Sequence, residues 1–427
     1  MGILLVCSII IIVVIIMGTL TKTNIGLWAI FAAYILGSFV LKIPPKEIIT
    51  LWPTKLFLML FAVTFFYSFA TLNGSLEKLA LHAVYICRSI PWALPIVLYF
   101  LGFVLAGIGA GDGAIVLLLP ISITIAGITG MNYFLAASSV ICGISIGGLT
   151  PISTIHIFIK ELMIEQAGYS LEVAGTYAYR ALLHSFILFT IIFVAAYIVF
   201  RGFKLKAKEI AKPPAFEGKQ KITLGIIIFY ICIMVLIPLL NTAFPKLTFL
   251  AFLKANLNIA FISFFCALLC LLFKVGDEKK SFLRVSWRAF TVLCGMSMLI
   301  SVVTKTGSID KISEFLSTNI SQGSSPVLFA TFSGIMSFFV SGFVVNTTFF
   351  PLVPGVAASG IDAGILFYAI AVGGLATAIS PFSSMGAMAV SLVDDEKKRS
   401  QFFLGLIAWA AINIMIHAVL LFLFPSL

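Results

Sequence analysis

Apolar runs of about 17 to 25 residues follow one another along the chain, separated by short polar stretches. Each run is long enough for a helix to cross a hydrocarbon layer. They predict spans near 3–20, 24–41, 55–71, 131–165 and 180–201, and again near 222–241, 256–274, 289–305, 361–392 and 401–425. The runs are continuous rather than alternating, which excludes a closed barrel and leaves helices to satisfy the backbone in lipid. Two stretches, 92–128 and 325–358, read differently. Each has two apolar arms around a small polar tip, Gly109-Ala110-Gly111-Asp112-Gly113 and Val345-Asn346-Thr347-Thr348. Their second arms are too short to span comfortably, so both predict re-entrant hairpins. A more polar stretch precedes each, 75–90 and 306–322, and predicts an amphipathic helix lying at the interface.

Composition agrees with the pattern. Only 10% of the 427 residues are charged and 61% are hydrophobic, against about 25% charged in a soluble domain. The net charge of +11 resides mainly in short loops between runs, which makes it orientation charge rather than a nucleic-acid surface. The one long polar stretch, 201–221, holds seven basic residues against Glu209 and Glu217 and contains Pro213-Pro214. The positive-inside rule makes it a cytoplasmic linker between an N-terminal half (1–200) and a C-terminal half (222–427). Most remaining Lys and Arg then fall on the cytoplasmic side, with Lys42, Lys46 and Lys55 on the other, and both termini lie outside. Five spans per half is odd, so the second half enters upside down relative to the first. The expected fold is an all-α polytopic membrane protein of two inverted-topology repeats, with about ten transmembrane helices, two hairpins and two broken helices. The seven cysteines form no C-x-x-C pair and read as small buried hydrophobes. The first run has no positive n-region and reads as a retained span.

Within the two longest runs one phrase occurs twice: Thr150-Pro151-Ile152-Ser153-Thr154 and Ser380-Pro381-Phe382-Ser383-Ser384. Each sits 21 residues after a glycine, Gly130 to Pro151 and Gly360 to Pro381, and interrupts the helix at 150–154 and 380–384. Asp112 precedes Pro120 by eight residues, as Asn346 precedes Pro354. Proline breaks a helix by removing a donor and crowding the preceding turn. Freed backbone groups are tolerated at membrane depth only where something polar replaces them. The simpler alternative is a kink whose hydroxyl bonds back to its own helix; two matching copies, each with a polar tip upstream, favour a site. Substrate-binding candidates are Asp112, Gly113, Thr150, Pro151, Asn346, Thr347, Thr348, Ser380 and Pro381, which offer helix N-termini, hydroxyls and an amide to a carboxylate. Oxygen ligands suited to sodium are Gly111, Asp112, Ser153, Thr154, Asn346, Ser383 and Ser384. Asp112, an intramembrane carboxylate, could instead carry a proton, with His156 assisting. His82, His184 and His417 read as structural or interfacial.

The run from Gly109 to His156 resembles the N-terminal module of MatC-type dicarboxylate carriers. More broadly, the chain is similar to divalent-anion/sodium symporters of the ion-transporter superfamily. In those symporters each hairpin tip carries Ser-Asn-Thr. Here Asn346-Thr347 matches the second Asn-Thr with Val345 in the serine position, and Asp112 stands where the first asparagine would. Thr150-Pro151 and Ser380-Pro381 match the two broken loops. The resemblance implies an elevator-like carrier, a homodimer in a bacterial inner membrane, with tips and broken loops binding substrate carboxylates and sodium.

The function expected is therefore secondary active transport of a small organic anion, malonate-like or a C4 dicarboxylate, coupled to Na+ or H+. No cofactor is expected beyond that coupling ion. The alternative is an inorganic-ion carrier of the same superfamily, by cation/proton antiport or oxyanion efflux, which would suit the Asp112 carboxylate. Gly109-Ala110-Gly111-Asp112 also spells the G-x-G-D of intramembrane aspartyl proteases. Those need a second aspartate on a neighbouring span to share a proton, and the chain lacks the accompanying motifs, so an enzyme is not expected. A channel would line every span with polar groups, whereas here they gather at discrete points.

Overall fold

The computed structural model describes residues 2–205, 212–244, 246–285, 287–319, 321, 323–393 and 395–424; the side chains of 2–5, 8, 19, 112 and 384 fall outside that description. Every regular element described is helical. The chain opens with α1 (Gly2–Leu20), α2 (Ile25–Tyr34), continued by a π-helical stretch over Ile35–Val40, and a short α3 (Pro45–Thr50). Then come α4 (Thr54–Leu72), α5 (Ser75–Ile86), α6 (Leu94–Leu105) with a π-helical extension over Ala106–Ala110, and α7 (Asp112–Thr129). The first half ends with α8 (Tyr133–Gly147), α9 (Thr154–Glu165) and α10 (Leu171–Val199). The second half carries α11 (Gly218–Ala243), α12 (Thr248–Ala255), α13 (Ile259–Leu272), α14 (Glu278–Leu283), α15 (Trp287–Thr304) and α16 (Ser308–Asn319). It closes with α17 (Ser325–Ser337), α18 (Gly342–Phe349), α19 (Val353–Ala357), α20 (Ala363–Ala376), α21 (Ser384–Ser391) and α22 (Glu396–Leu423).

Helices lie over most of the runs that the hydropathy marked, and both interrupted runs break, between α8 and α9 and between α20 and α21. Among the described residues six helices are long and apolar enough to cross a membrane: α4, α6 with its flanking turns (Pro91–Ala110), α10, α11, α15 and α22. The pair α12 and α13, bent by 85°, would make a seventh. Two boundaries move outward. α10 starts at Leu171 rather than 180, and α22 starts at Glu396 rather than 401. The α22 extension is a polar first turn, Glu396-Lys397-Lys398-Arg399, whereas the α10 extension adds more than two turns of mixed character. Asp395 accepts the Lys398 N–H at 2.8 Å, which seats α22 ahead of its apolar run. The expected amphipathic helices are α5 and α16. Lys78 on α5 does not face water: it is buried, donating to the Ala215 carbonyl at 3.0 Å and lying 3.7 Å from Glu217. Residues 206–211 of the linker lie outside the described residues.

Packing groups the chain into two compact units that cut across the sequence halves. One comprises 1–57, 158–196 and 287–427; the other comprises 58–157 and 197–286. Each contains one two-armed stretch and the break of one interrupted span. In the second unit, α6 and α8 approach backbone to backbone. A Cβ at Gly143 or Gly147 would collide with the Tyr99 or Phe103 carbonyl, so only glycine permits this contact. In the first unit α17 meets α20 in the same fashion, with Gly373 against the Ala330 carbonyl. Matching caps set both interrupted spans. Gly130 and Gly360 have positive φ, 74° and 99°, and end the preceding segment. Two residues on, Asn132 and Asp362 cap α8 and α20 by accepting the N–H of Phe134 and Gly364 at 2.8 Å.

Candidate functional site

The twin phrases share a set of hydrogen bonds, to which the first adds Thr150 Oγ1 at 3.0 Å from the Gly147 carbonyl of its own helix and the second Ser383 Oγ at 2.7 Å from the Ser380 carbonyl. Ahead of each proline, the hydroxyl crosses to the arm alongside: Thr150 Oγ1 donates to the Gly107 carbonyl at 2.5 Å, and Ser380 Oγ to the Phe338 carbonyl at 3.1 Å. Two residues after each proline, the serine reaches back five residues, Ser153 Oγ to the Gly148 carbonyl and Ser383 Oγ to the Ala378 carbonyl. The same oxygens then accept the N–H three residues ahead, at His156 (3.4 Å) and Gly386 (3.1 Å), capping α9 and α21. Backbone turns repeat too, Ser153 N to Thr150 O and Ser383 N to Ser380 O, both at 2.9 Å. These hydroxyls therefore restore the carbonyls that the breaks release. Thr150 and Ser380 are more than kink stabilisers, because each also fastens the break to its neighbouring arm.

That commitment fixes what the site can offer. A hydroxyl has one proton and two lone pairs. With their protons given to carbonyls, Thr150, Ser153, Ser380 and Ser383 present lone pairs only, which suits a cation better than a carboxylate. Donors for an anion must come from elsewhere. α7 and α18 begin at Gly111 and Ser341, neither of which caps its helix through a side chain, so among the described residues no N-cap side chain is bonded to their first N–H groups.

The tips do not match one another as the sequence implied. The first break falls at Gly109–Gly111, as expected, with φ of 105° and 51° at the two glycines, and Asp112 is the first residue of α7. The Asp112 side chain lies outside the description, as does that of Ser384. The second break falls at 338–341 rather than at Val345–Thr348. Asn346, Thr347 and Thr348 sit inside α18, where Thr347 and Thr348 donate to the Phe343 and Val344 carbonyls, each at 2.8 Å. Hydroxyls bonding one turn back keep the helix intact, so this polar cluster does not break it. Asn346 is buried at 3% exposure, its Oδ1 has no partner among the described residues, and it faces Gly374 of α20. Among the described residues of the second arm it is the one with a buried, uncommitted side-chain polar atom.

Around the first break, the glycines touch polar groups from two other elements. A Cβ at Gly111 would lie 3.2 Å from Thr154 Oγ1, and one at Gly113 3.2 Å from Thr71 Oγ1. A Cβ at Gly109 would lie 2.9 Å from the Tyr67 ring and 3.2 Å from the Ile152 carbonyl. Tyr67 and Thr71 come from α4, whose sequence reads as a plain span with no signal of such a role. His156 is buried, its Nδ1 2.9 Å from the Leu149 carbonyl. A carbonyl only accepts, so Nδ1 carries the hydrogen and the ring braces the break. Glu161 was legible as a charge within an apolar run but fell outside the expected set. It is 1% exposed on α9 and pairs with Lys55 Nζ at 2.8 Å. Among the described residues no group of three or more His, Cys, Asp or Glu is placed to hold a metal ion.

Residues 1–148 match the family model for the dicarboxylate carrier protein MatC N-terminus. That span holds α1 to α8 and both arms of the first break, and ends just before Thr150. The crystal structure of the Alcanivorax borkumensis YdaH transporter, described as having an unusual topology, is similar over 89% of this chain and 87% of its own. Its TM-score is 0.61 at 12% identity, a likeness of fold. No curated protein matches by sequence.

Proposed function

We propose that the chain is a secondary carrier of a small organic anion of the dicarboxylate type, malonate-like or C4. The observation that carries this reading is the MatC N-terminal match over residues 1–148. It covers the helix start at Asp112, whose N–H groups have no side-chain cap and suit a carboxylate. The proton-committed hydroxyls of Thr150, Ser153, Ser380 and Ser383 supply lone pairs for a coupling cation, for which sodium is the first choice by ligand type. Proton coupling through Asp112 is the competing arrangement. Inverted repeats, elevator-type motion of the arms and breaks, and a homodimer in a bacterial inner membrane complete the proposal.

A thermal-shift series on the purified full chain tests it. Malonate and succinate are expected to raise the melting temperature, more so with sodium than with choline, because a ligand of the folded state stabilises by mass action. Stabilisation by an inorganic ion with no response to any carboxylate would replace this reading with the inorganic-ion carrier. Counterflow of labelled substrate in proteoliposomes distinguishes carrier from channel.

A further inference from the structure

Tyr67 belongs to α4, yet its ring rests on the first break. The Cβ position at Gly109 lies 2.9 Å from Tyr67 Cε2 and 3.5 Å from Cδ2, so the hydroxyl-bearing end of the ring is the end at the tip. Tyr67 is 2% exposed, and its hydroxyl has no hydrogen-bond partner among the described residues. Its ring neighbours Phe66 and Tyr230 are packing contacts, and the Tyr230 hydroxyl accepts from Ser263 Oγ at 3.5 Å. The Ile152 carbonyl borders the same glycine without receiving the Tyr67 proton. Buried phenols ordinarily find a partner, and leaving one unpaired is unfavourable.

Three other hydroxyls near this break are already used. Thr150 donates to Gly107, Ser153 to Gly148, and Thr71 to the Tyr67 carbonyl at 3.2 Å. The Tyr67 O–H remains an uncommitted donor, and α7 starts three residues beyond Gly109 with no N-cap side chain bonded to its first N–H groups. Among the described residues, the unpartnered phenol at Gly109 and the uncapped start of the 18-residue helix that follows form a donor pair that lacks an acceptor.

We infer that Tyr67 is a substrate-binding residue, its phenol donating to a carboxylate oxygen of the transported anion at the start of α7. This rests on the organic-anion reading above and adds a contact from α4 that neither the tips nor the breaks supply.

Tyr67→Phe is the test, since it removes the hydroxyl and keeps the ring on Gly109. Without ligand, the variant is expected to melt at or above the wild-type temperature, because it loses a polar group that had no partner. With malonate or succinate, its thermal shift should shrink and its KM for uptake in proteoliposomes should rise about tenfold, the scale of one hydrogen bond to a charged group. Equal carboxylate affinity in variant and wild type would overturn the inference while leaving the carrier reading intact. A variant that melts well below wild type without ligand would also overturn it, since the hydroxyl would then be holding the fold. A wild-type protein that responds to no carboxylate would remove both readings.

Discussion

Thr150 and Ser380 each have one proton to give, and each gives it to a carbonyl of the arm alongside. Removing that donor while keeping the shape should therefore cost stability. Thr150→Val leaves the Gly107 carbonyl short of a partner in a half-buried setting and is expected to destabilise by about 0.5–1.5 kcal/mol. Thr150→Ser should keep most of the bond; thermal unfolding of the two variants in detergent compares them directly. The phrase around Thr150 was legible in sequence because proline and hydroxyls act on their immediate neighbours. Tyr67 was not legible. Nothing in Phe65-Phe66-Tyr67-Ser68 separates a tyrosine that faces a glycine break from one that faces lipid.

At the scale of elements, glycine does two different things in this chain, and the difference is measurable. At Gly147 a Cβ would meet the Phe103 carbonyl, so Gly147→Ala must push α6 from α8 and is expected to lower stability by about 1–3 kcal/mol. At Gly225, inside α11, nothing lies within 4 Å of the Cβ position, and Gly225→Ala should raise stability by up to about 1 kcal/mol through better helix propensity. Melting temperatures of the two variants should move in opposite directions. Hydropathy cannot distinguish these glycines, since both stand in apolar runs. The second tip carries the same lesson: Asn346-Thr347-Thr348 is the polar cluster in its run, yet the hydroxyls bond within α18 and the chain breaks at 338–341 instead.

Over the whole molecule, contacts far apart in sequence join residues whose sequence context gave no hint of a partner. His184 and His417 read as structural, and they meet Nε2 to Nε2 at 3.1 Å in a buried pair, with His184 stacked on Tyr368. Glu161 is buried against Lys55, which is half exposed. Lys55→Ala would leave the carboxylate without its cation, at an expected loss of about 1–2 kcal/mol, less than for a fully enclosed pair because water screens the lysine. Adding Glu161→Gln to that variant should recover most of the loss, read again by thermal unfolding. By itself the sequence determined that the chain is a membrane protein, where its helices run and where two of them break. Hydropathy, proline and backbone-bonding hydroxyls all act within a turn or two, so their effects can be read locally. The tertiary structure alone decided that the compact units cut across the halves, that the breaks spend their protons on neighbouring arms, and that Tyr67 stands at the first tip. Those outcomes depend on which surfaces fit together, and a partner distant in sequence leaves no mark on the residues around it.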